Sequence, residues 1–516
     1  MKVLTSRQMK EIDRKTIAEI GIPGVALMEN AGIRIVEALK RRFPAPRAEH
    51  VVIVAGKGNN GGDGLVVARH LFNQGARPVV LLLASKGDVR GDAAVNLNAA
   101  LNMDIPVTEI TSPEEWGCHK KAVSEATVIV DAMFGTGLVK PLDGLYAQVV
   151  GEINASKAFK ISVDIPSGLS SDSSLIIGPC VKADLTVTLA APKIAHVLPP
   201  AEEYIGELVV APIGIPPSLF DGSGLKLEMV ERQDIEPFLK KRKKDTHKGT
   251  FGHVLIVSGS LGKTGAAALA GRAALKMGAG LVTVATPASC LPMVARSMPE
   301  LMTEPLAETP KKTIAAEALP RVLVLLRGKD VLLLGPGIST NPSTSEFVMA
   351  LLPRVKIPMV LDADALNIIA ADPRVLGSLQ APAVLTPHPG EFARLLGLTN
   401  REVLANRIEL ALAFARRYRV FVVLKGHRTL TACPDGRVFI NPTGNPGMAT
   451  GGSGDVLGGM IASQIAQEKD VRGAVVSAIY VHGLSGDLGA DELGERALTA
   501  GDIIRFLPPA LKAMET

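Results

Sequence analysis

Asn445 to Gly459, NPGMATGGSGDVLGG, sets a glycine-rich turn directly before one carboxylate, Asp455, and an apolar helix-forming run. Gly452, Ser453 and Gly454 leave backbone N–H groups free where a helix begins, and such a start holds anions through those donors and the helix dipole. A carboxylate beside an anion pocket suits phosphoryl transfer to a hydroxyl. The pocket steadies the phosphate oxygens while Asp455 takes the hydroxyl proton. Taken alone, the stretch also suits a plain turn with Asp455 as a helix cap.

Upstream residues favour the chemical reading. Gly335-Pro-Gly337, Asp362-Ala-Asp364 and Thr386-Pro-His-Pro-Gly-Glu391 each follow an apolar run that reads as a strand. His388 stands between two prolines, which hold it in an extended, rigid turn. Lys425-Gly426-His427-Arg428-Thr429 follows VFVVL and offers a cation and free amides to a nucleotide phosphate or base edge. The stretch 247–270 resembles a phosphate-binding P-loop but lacks the glycine that motif needs, since Val257 stands five positions before Gly262.

A second set of candidates lies in the first half. Gly56 to Gly64, GKGNNGGDG, sits between a strand pattern and a helix pattern. It contains GxGxxG, but the acidic residue that ends the next strand in dinucleotide sites is missing. Asn59 and Asn60 add side-chain donors and acceptors to the glycine amides, which suits a sugar-phosphate ligand or a carbonyl oxygen feeding a cation. Asp131-Ala-Met-Phe-Gly-Thr-Gly137 and Asp164-Ile-Pro-Ser-Gly168 end two more strands. Asn60, Asp131, Asp164 and Ser167 thus share one rim, where hard oxygen ligands could hold a monovalent or divalent cation.

The elements that position these residues alternate. In the first half, apolar strands at 51–56, 78–84, 126–135, 159–168, 184–192 and 206–214 are interleaved with helices at 65–75, 91–102 and 144–155. The pattern breaks near 214–246, the expected domain boundary, and KKRKK (240–244) reads there as a solvated linker face. A second series runs from 252 through strands at 281–286, 331–337, 358–366, 381–391, 418–426 and 437–442, with a long Ala/Gly-rich helix at 265–279. Strands alternating with helices imply parallel sheets covered on both faces, with functional loops at the carboxyl ends of the strands. The fold class is therefore α/β with two domains.

GKGNNGGDG, DAMFGTG and VDIPSGL resemble the YjeF N-terminal family, the NAD(P)H-hydrate epimerases. THKGTFG, GPG, LDADAL, LTPHPGEF, LKG, NPTGN and GGSGDVL resemble the YjeF C-terminal family, the NAD(P)H-hydrate dehydratases of the ribokinase-like superfamily. The resemblance implies a Rossmann-like three-layer domain over 1–220 and a ribokinase-like domain over 228–512. The first implies K⁺ held by Asn60, Asp131 and Ser167. Its substrate contacts would be Asn59, Asn60, Gly61, Gly62, Asp63, the loop Gly135, Thr136, Gly137, Leu138, Val139, Lys140 and Pro141, and Asp164 as the proton-handling group. The second implies hydrate contacts at Ala266, Gly337, His388 and Asp455. It also implies adenine-nucleotide contacts at Lys425, Gly426, His427, Arg428, Thr429 and Gly454, with Mg²⁺ and ADP. The activity implied is repair of NADHX and NADPHX: epimerisation of the R and S forms, then ADP-dependent dehydration of the S form to NAD(P)H with release of AMP and phosphate. Related dehydratases imply a homo-oligomer, a tetramer or larger. The rival reading is a ribokinase-like sugar or vitamin-precursor kinase carrying a non-catalytic N-terminal binding module.

Composition excludes other classes. Of the 516 residues 47% are hydrophobic and 21% charged, the profile of a globular protein, and the length exceeds one ordinary core. Aromatics make up 3%, and the net charge of +5 is spread without a long basic run, which argues against a nucleic-acid partner. Cys118, Cys180, Cys290 and Cys433 are scattered without ligand-like spacing, which fits reduced thiols in a cytoplasmic chain. The most apolar long segment, 265–287, is broken by Arg272 and Lys276, so no membrane span is expected.

Overall fold

Along β1 (Val51–Ala55) successive side chains enter two different apolar clusters. Val51, Ile53 and Ala55 meet residues of the helices Gly24–Arg42, Asn59–Asn73 and Gly91–Asn102, whereas Val52 and Val54 meet Trp116, Val123, Val149 and Ile153. The period of two in a strand makes this sorting automatic, and a strand apolar on both faces demands helices on both. The computed structural model describes every residue except Ser223 and Thr516. The chain divides into two compact units, Met1–Leu227 and Glu228–Thr516.

The first unit is a three-layer α/β domain. Its other strands are β2 (Val79–Leu82), β3 (Val107–Glu109), β4 (Val128–Ala132), β5 (Phe159–Val163), β6 (Leu185–Leu189) and β7 (Glu207–Ala211). They lie in the order β3-β2-β1-β4-β5-β6-β7, every pair parallel. The order reverses between β1 and β4, and ligands of such sheets sit outside the carboxyl ends at that switch point. Gly56–Asn60 follows β1, and Met133–Gly137 follows β4.

The second unit carries a sheet of ten strands. In chain order these are β8 (Leu227–Met229), β9 (His253–Val257), β10 (Leu281–Pro287), β11 (Met302–Leu306), β12 (Val331–Leu334), β13 (Met359–Leu361), β14 (Ala383–Leu385), β15 (Phe421–Leu424), β16 (Leu430–Ala432) and β17 (Val438–Ile440). The order is β11-β10-β9-β12-β13-β14-β15-β16-β17-β8, parallel from β11 to β15 and antiparallel through β15, β16 and β17. Val254 and Ile256 pack against the helices Thr264–Lys276, Ser453–Gln467, Val471–Leu493 and Ala500–Met514. Leu255, Val257, Leu332 and Leu334 are equally buried on the opposite face. Here the order reverses between β9 and β12.

Three expectations change. The helix expected from residue 65 begins at Asn59, because GNNGGDG is a helix start and not an open loop. Glycine is a poor helix former, but close packing overrides that preference here. A methyl group on Gly56 would strike the Met133 carbonyl, one on Gly61 the Gly56 carbonyl, and one on Gly64 the Ala132 side chain. β3, β8, β11 and β16 do not show as apolar runs in the sequence, being short or polar. KKRKK is not a linker between the units but part of the second, where the Arg242 guanidinium lies 3.7 Å over the Phe251 ring and donates 2.5 Å to the Gly278 carbonyl.

Candidate active sites

At the first switch point, Asp131 is fully buried near the end of β4. Ser162 Oγ donates to its Oδ2 at 2.9 Å, Ser167 N–H to the same oxygen at 2.8 Å, and Ser167 Oγ to Oδ1 at 2.5 Å. Phe134 N–H donates 3.0 Å to Ser167 Oγ, and the Asn60 amide oxygen packs against Gly135. Loops after β1, β4 and β5 therefore meet. Burial raises the Asp131 carboxyl while these donors pull it back. No ion pair among the described residues reaches Asp131, and the buried Asn60 Nδ2 has no hydrogen-bond partner.

Asp164 follows β5 with φ at +62°, and Ile165 N–H bonds back to the Val163 carbonyl at 2.7 Å, a strained γ-turn that aims the carboxyl at the pocket. Its Oδ1 accepts from Leu189 N–H at 3.0 Å, Thr188 Oγ1 at 3.1 Å and Lys193 Nζ at 2.5 Å. Burial works against the charged carboxylate, but the Lys193 ammonium outweighs it and holds Asp164 below its ordinary range. His196 beside them is driven down to about 3 by burial and by Lys193, so it is neutral. A cavity of about 540 Å³ is lined by Asn59, Asn60, Asp63, Gly135, Thr136, Gly137, Leu138 and Asp164. Gly61 and Gly62 pack inside the unit, Val139 is 82% exposed, and Lys140 and Pro141 do not line the cavity. Lys193 and Asp13 do line it and were missed in the sequence. Lys193 follows β6 and carries the same strand-end signal as its neighbours, whereas Asp13 on the helix Ser6–Lys15 carries none.

In the second unit, Gly452 takes φ +92° and starts the helix Ser453–Gln467. Ser453 N–H bonds to the Thr450 carbonyl at 3.3 Å, while Gly454 N–H and Asp455 N–H meet no acceptor among the described residues. Of the three amides the glycine-rich turn offered, Gly452, Ser453 and Gly454, only that of Ser453 is taken up within the turn. Lys425 Nζ donates 2.8 Å to the buried Asp362 carboxylate, lies 4.0 Å from Glu391, and would stand 3.2 Å from a methyl group on Gly454. Burial disfavours the Lys425 charge, yet Asp362, Glu391 and Asp455 together raise it. Asp455 is pushed up to about 7 by burial and by the Asp362 charge, against the pull of Lys425. A carboxyl of that pKa is poised to exchange a proton near neutrality.

His388 Nδ1 accepts from Gly390 N–H at 3.0 Å and Glu391 N–H at 3.4 Å, capping the helix Pro389–Leu396. Its Nε2 lies 3.6 Å from Glu391 Oε1, and the ring borders a cavity of about 780 Å³ with Lys425, Gly426, His427, Thr429 and Gly454. Arg428 is outside that wall and donates 3.0 Å to the Pro442 carbonyl. Ala266 and Gly337 meet at the β9–β12 switch point, where Ser260 Oγ donates 2.7 Å to the Gly337 carbonyl. Two further residues escaped the sequence reading. Arg407 is buried and donates to the carbonyls of His427 at 3.1 Å and Arg428 at 3.0 Å, bracing the Lys425–Thr429 loop. His482 borders the cavity, lies 3.1 Å from the Ser453 carbonyl, and is lowered to about 4 by burial.

Two family models match this chain: one described as YjeF-related protein N-terminus over residues 24–195, and one described as NAD(P)H-hydrate dehydratase over 254–509. A bifunctional NAD(P)H-hydrate repair enzyme from Moorella thermoacetica is 45% identical over all of this chain and 97% of its own length. The chain belongs to the bifunctional NAD(P)H-hydrate repair enzymes. An Escherichia coli member of that family is 32% identical over 96% of this chain and 91% of its own. The solved structure of a ribokinase-like superfamily protein from Enterococcus faecalis is 27% identical, with a TM-score of 0.50, over 56% of this chain and 97% of that one. As a bifunctional repair enzyme, the chain joins an epimerase unit, built on the all-parallel sheet, to a dehydratase unit with a ribokinase-like fold. No helix among the described residues is long and apolar enough to cross a membrane.

Proposed function

We propose that Asp455 is the base of the dehydratase and that the amides of Gly454 and Asp455 hold the phosphate it acts upon. The hydrated ring carries a hydroxyl on the carbon next to its nitrogen, and hydroxide is a poor leaving group. Asp455 takes the hydroxyl proton, and the oxygen attacks the terminal phosphate of ADP, releasing AMP. The ring-nitrogen lone pair then expels phosphate, and loss of a neighbouring C–H proton restores the reduced nicotinamide. Lys425, Gly426, His427 and Thr429 contact the nucleotide, with Arg428 shaping the loop from behind. Ala266, Gly337 and His388 contact the hydrate. The observation that carries this reading is the half-buried Asp455 carboxyl in the first turn of a helix whose N–H groups are open, within the field of Lys425.

Among the described residues no group of three or more acidic, His or Cys side chains forms a metal cage in this unit. Mg²⁺ would accompany the nucleotide phosphates, with Asp362 or Asp364 to hold it, and would supply charge neutralisation at the transferred phosphate. In the epimerase, Asn60, Asp131 and Ser167 would hold K⁺. A buried carboxylate without a cationic partner fits a monovalent cation, and an Asn60 amide turned over offers oxygen where its nitrogen now finds no partner. The ion would supply compensation of the Asp131 charge. Asp164 handles the proton, and Asn59, Asp63 and the loop from Gly135 to Leu138 contact the hydrate.

Purified protein given each hydrate epimer separately, with ADP or ATP, tests the whole reading. Return of the near-ultraviolet absorbance of reduced nicotinamide, with AMP formed from ADP, is expected from the S form at once and from the R form after interconversion. Accumulation of a stable phosphorylated product would point to a kinase instead.

A further inference from the structure

The epimerase cavity holds more acid–base groups than one proton-handling residue requires. Asp13, Asp63, Asp164 and Lys193 all line it. Lys193 is wholly buried, and its three ammonium donors are spent on Asp164 Oδ1, Thr188 Oγ1 at 2.9 Å and the Leu189 carbonyl at 3.1 Å. Asp164 is therefore fixed in place as a carboxylate. The Asp13 side chain, by contrast, has no hydrogen-bond or ion-pair partner among the described residues, although it is half-buried at the cavity wall. Asp13 ends the pocket-facing side of the helix Ser6–Lys15, on which Met9 and Ile12 are buried. Three carboxyls around one ammonium carry an excess of negative charge in a partly desolvated chamber, and such a group keeps a proton. Burial and the Asp164 charge raise Asp13 to about 6 against the pull of Lys193, while Asp63 is raised well above its ordinary value.

We propose that Asp13, which precedes the matched segment 24–195, is a second acid–base residue of the epimerase, acting opposite in sense to Asp164 on the hydroxylated ring carbon, with Lys193 as the positioning residue of Asp164. The assignment rests on the epimerase reading above. In one direction the protonated Asp13 carboxyl gives its proton to the ring hydroxyl. The C–O bond pair leaves with water as the ring-nitrogen lone pair forms the C=N bond. Water then adds to the other face of that carbon, the C=N pair returns to nitrogen, and Asp164 takes the released proton. Protons and electrons balance, and the reverse reaction exchanges the two roles. A single carboxyl would have to serve both faces of the ring. Two carboxyls on separate elements, Asp164 held ionised and Asp13 able to take up and give a proton near neutrality, need no such movement.

The test uses the full chain without nucleotide, so that only interconversion is read, starting from the pure R epimer. Wild-type protein must speed interconversion, and if it does not, the epimerase reading falls and this assignment with it. Given an active wild type, Asp13→Ala should lose roughly 10² or more in kcat with KM little changed. Added formate should restore rate in proportion to its concentration, and Asp13→Glu should recover much of it. The dehydratase activity of the same protein on the S epimer with ADP reports intact folding of the second unit, and far-ultraviolet circular dichroism that of the first. An Asp13→Ala protein with the wild-type rate, or one whose loss neither formate nor Asp13→Glu relieves, overturns the proposal while leaving the epimerase reading standing.

Discussion

Lys193 Nζ and Asp164 Oδ1 stand 2.5 Å apart across 29 residues of chain, joining the ends of β5 and β6 in a buried ion pair. Breaking such a pair from one side leaves an uncompensated buried charge, which costs about 3–5 kcal/mol. Lys193→Met should therefore lower the unfolding midpoint of the first unit and raise the Asp164 pKa. Epimerisation should fall while dehydration of the S epimer persists. Urea unfolding and the two assays run side by side check this, and a Lys193→Met protein of unchanged stability would remove the pair from its supporting role.

Asp455→Asn keeps the shape of the helix start and removes the proposed base. Turnover of the S epimer should drop by on the order of 10² to 10⁴, with nucleotide affinity by calorimetry little altered and epimerisation untouched. Normal turnover in a folded Asp455→Asn protein would transfer the base to another residue.

The raised pKa of Asp455 has two consequences with opposite slopes. Because the proposed base must be ionised, kcat/KM for the S epimer should rise with pH through a limb near 7. Lys425→Met removes the cation that lowers this pKa, so the limb should move to higher pH and the KM for ADP should increase. Stability runs the other way. Between the ordinary value of 3.8 and about 7 the folded protein keeps a proton that the unfolded chain has released, so this carboxyl destabilises the fold increasingly as pH rises through that window. Asp455→Asn should flatten that part of the stability–pH curve, as denaturant titrations at several pH values would show.

Gly61→Ala addresses packing and not ligand binding. Its methyl group would meet the backbone carbonyl of Gly56, which cannot swing aside as a side chain can. The expected loss is about 1–3 kcal/mol from the first unit, together with epimerase activity. A neutral effect in thermal unfolding would show that the helix start has room to relax.

Much of both sites was legible because the chemistry clusters at strand ends. Asp131, Asp164, Gly337, Asp362, His388 and Lys425 all follow apolar runs, and parallel sheets bring such ends to one rim. The residues that were not legible act across the fold. Arg407 reaches the Lys425–Thr429 loop from a helix, and His482 reaches Ser453 from another. A buried Arg or His on a helix has no local pattern that separates it from its neighbours.

By itself the sequence determined the two α/β units, the motif loops and the residues able to move protons or hold phosphate, because period and turn chemistry are local. Only the tertiary structure decided which carboxyls are ionised and which keep a proton. Asp164 has Lys193 beside it, whereas Asp455 has Asp362 as well as Lys425. Those charges come from distant strands, and their effect depends on burial that no local run of residues contains.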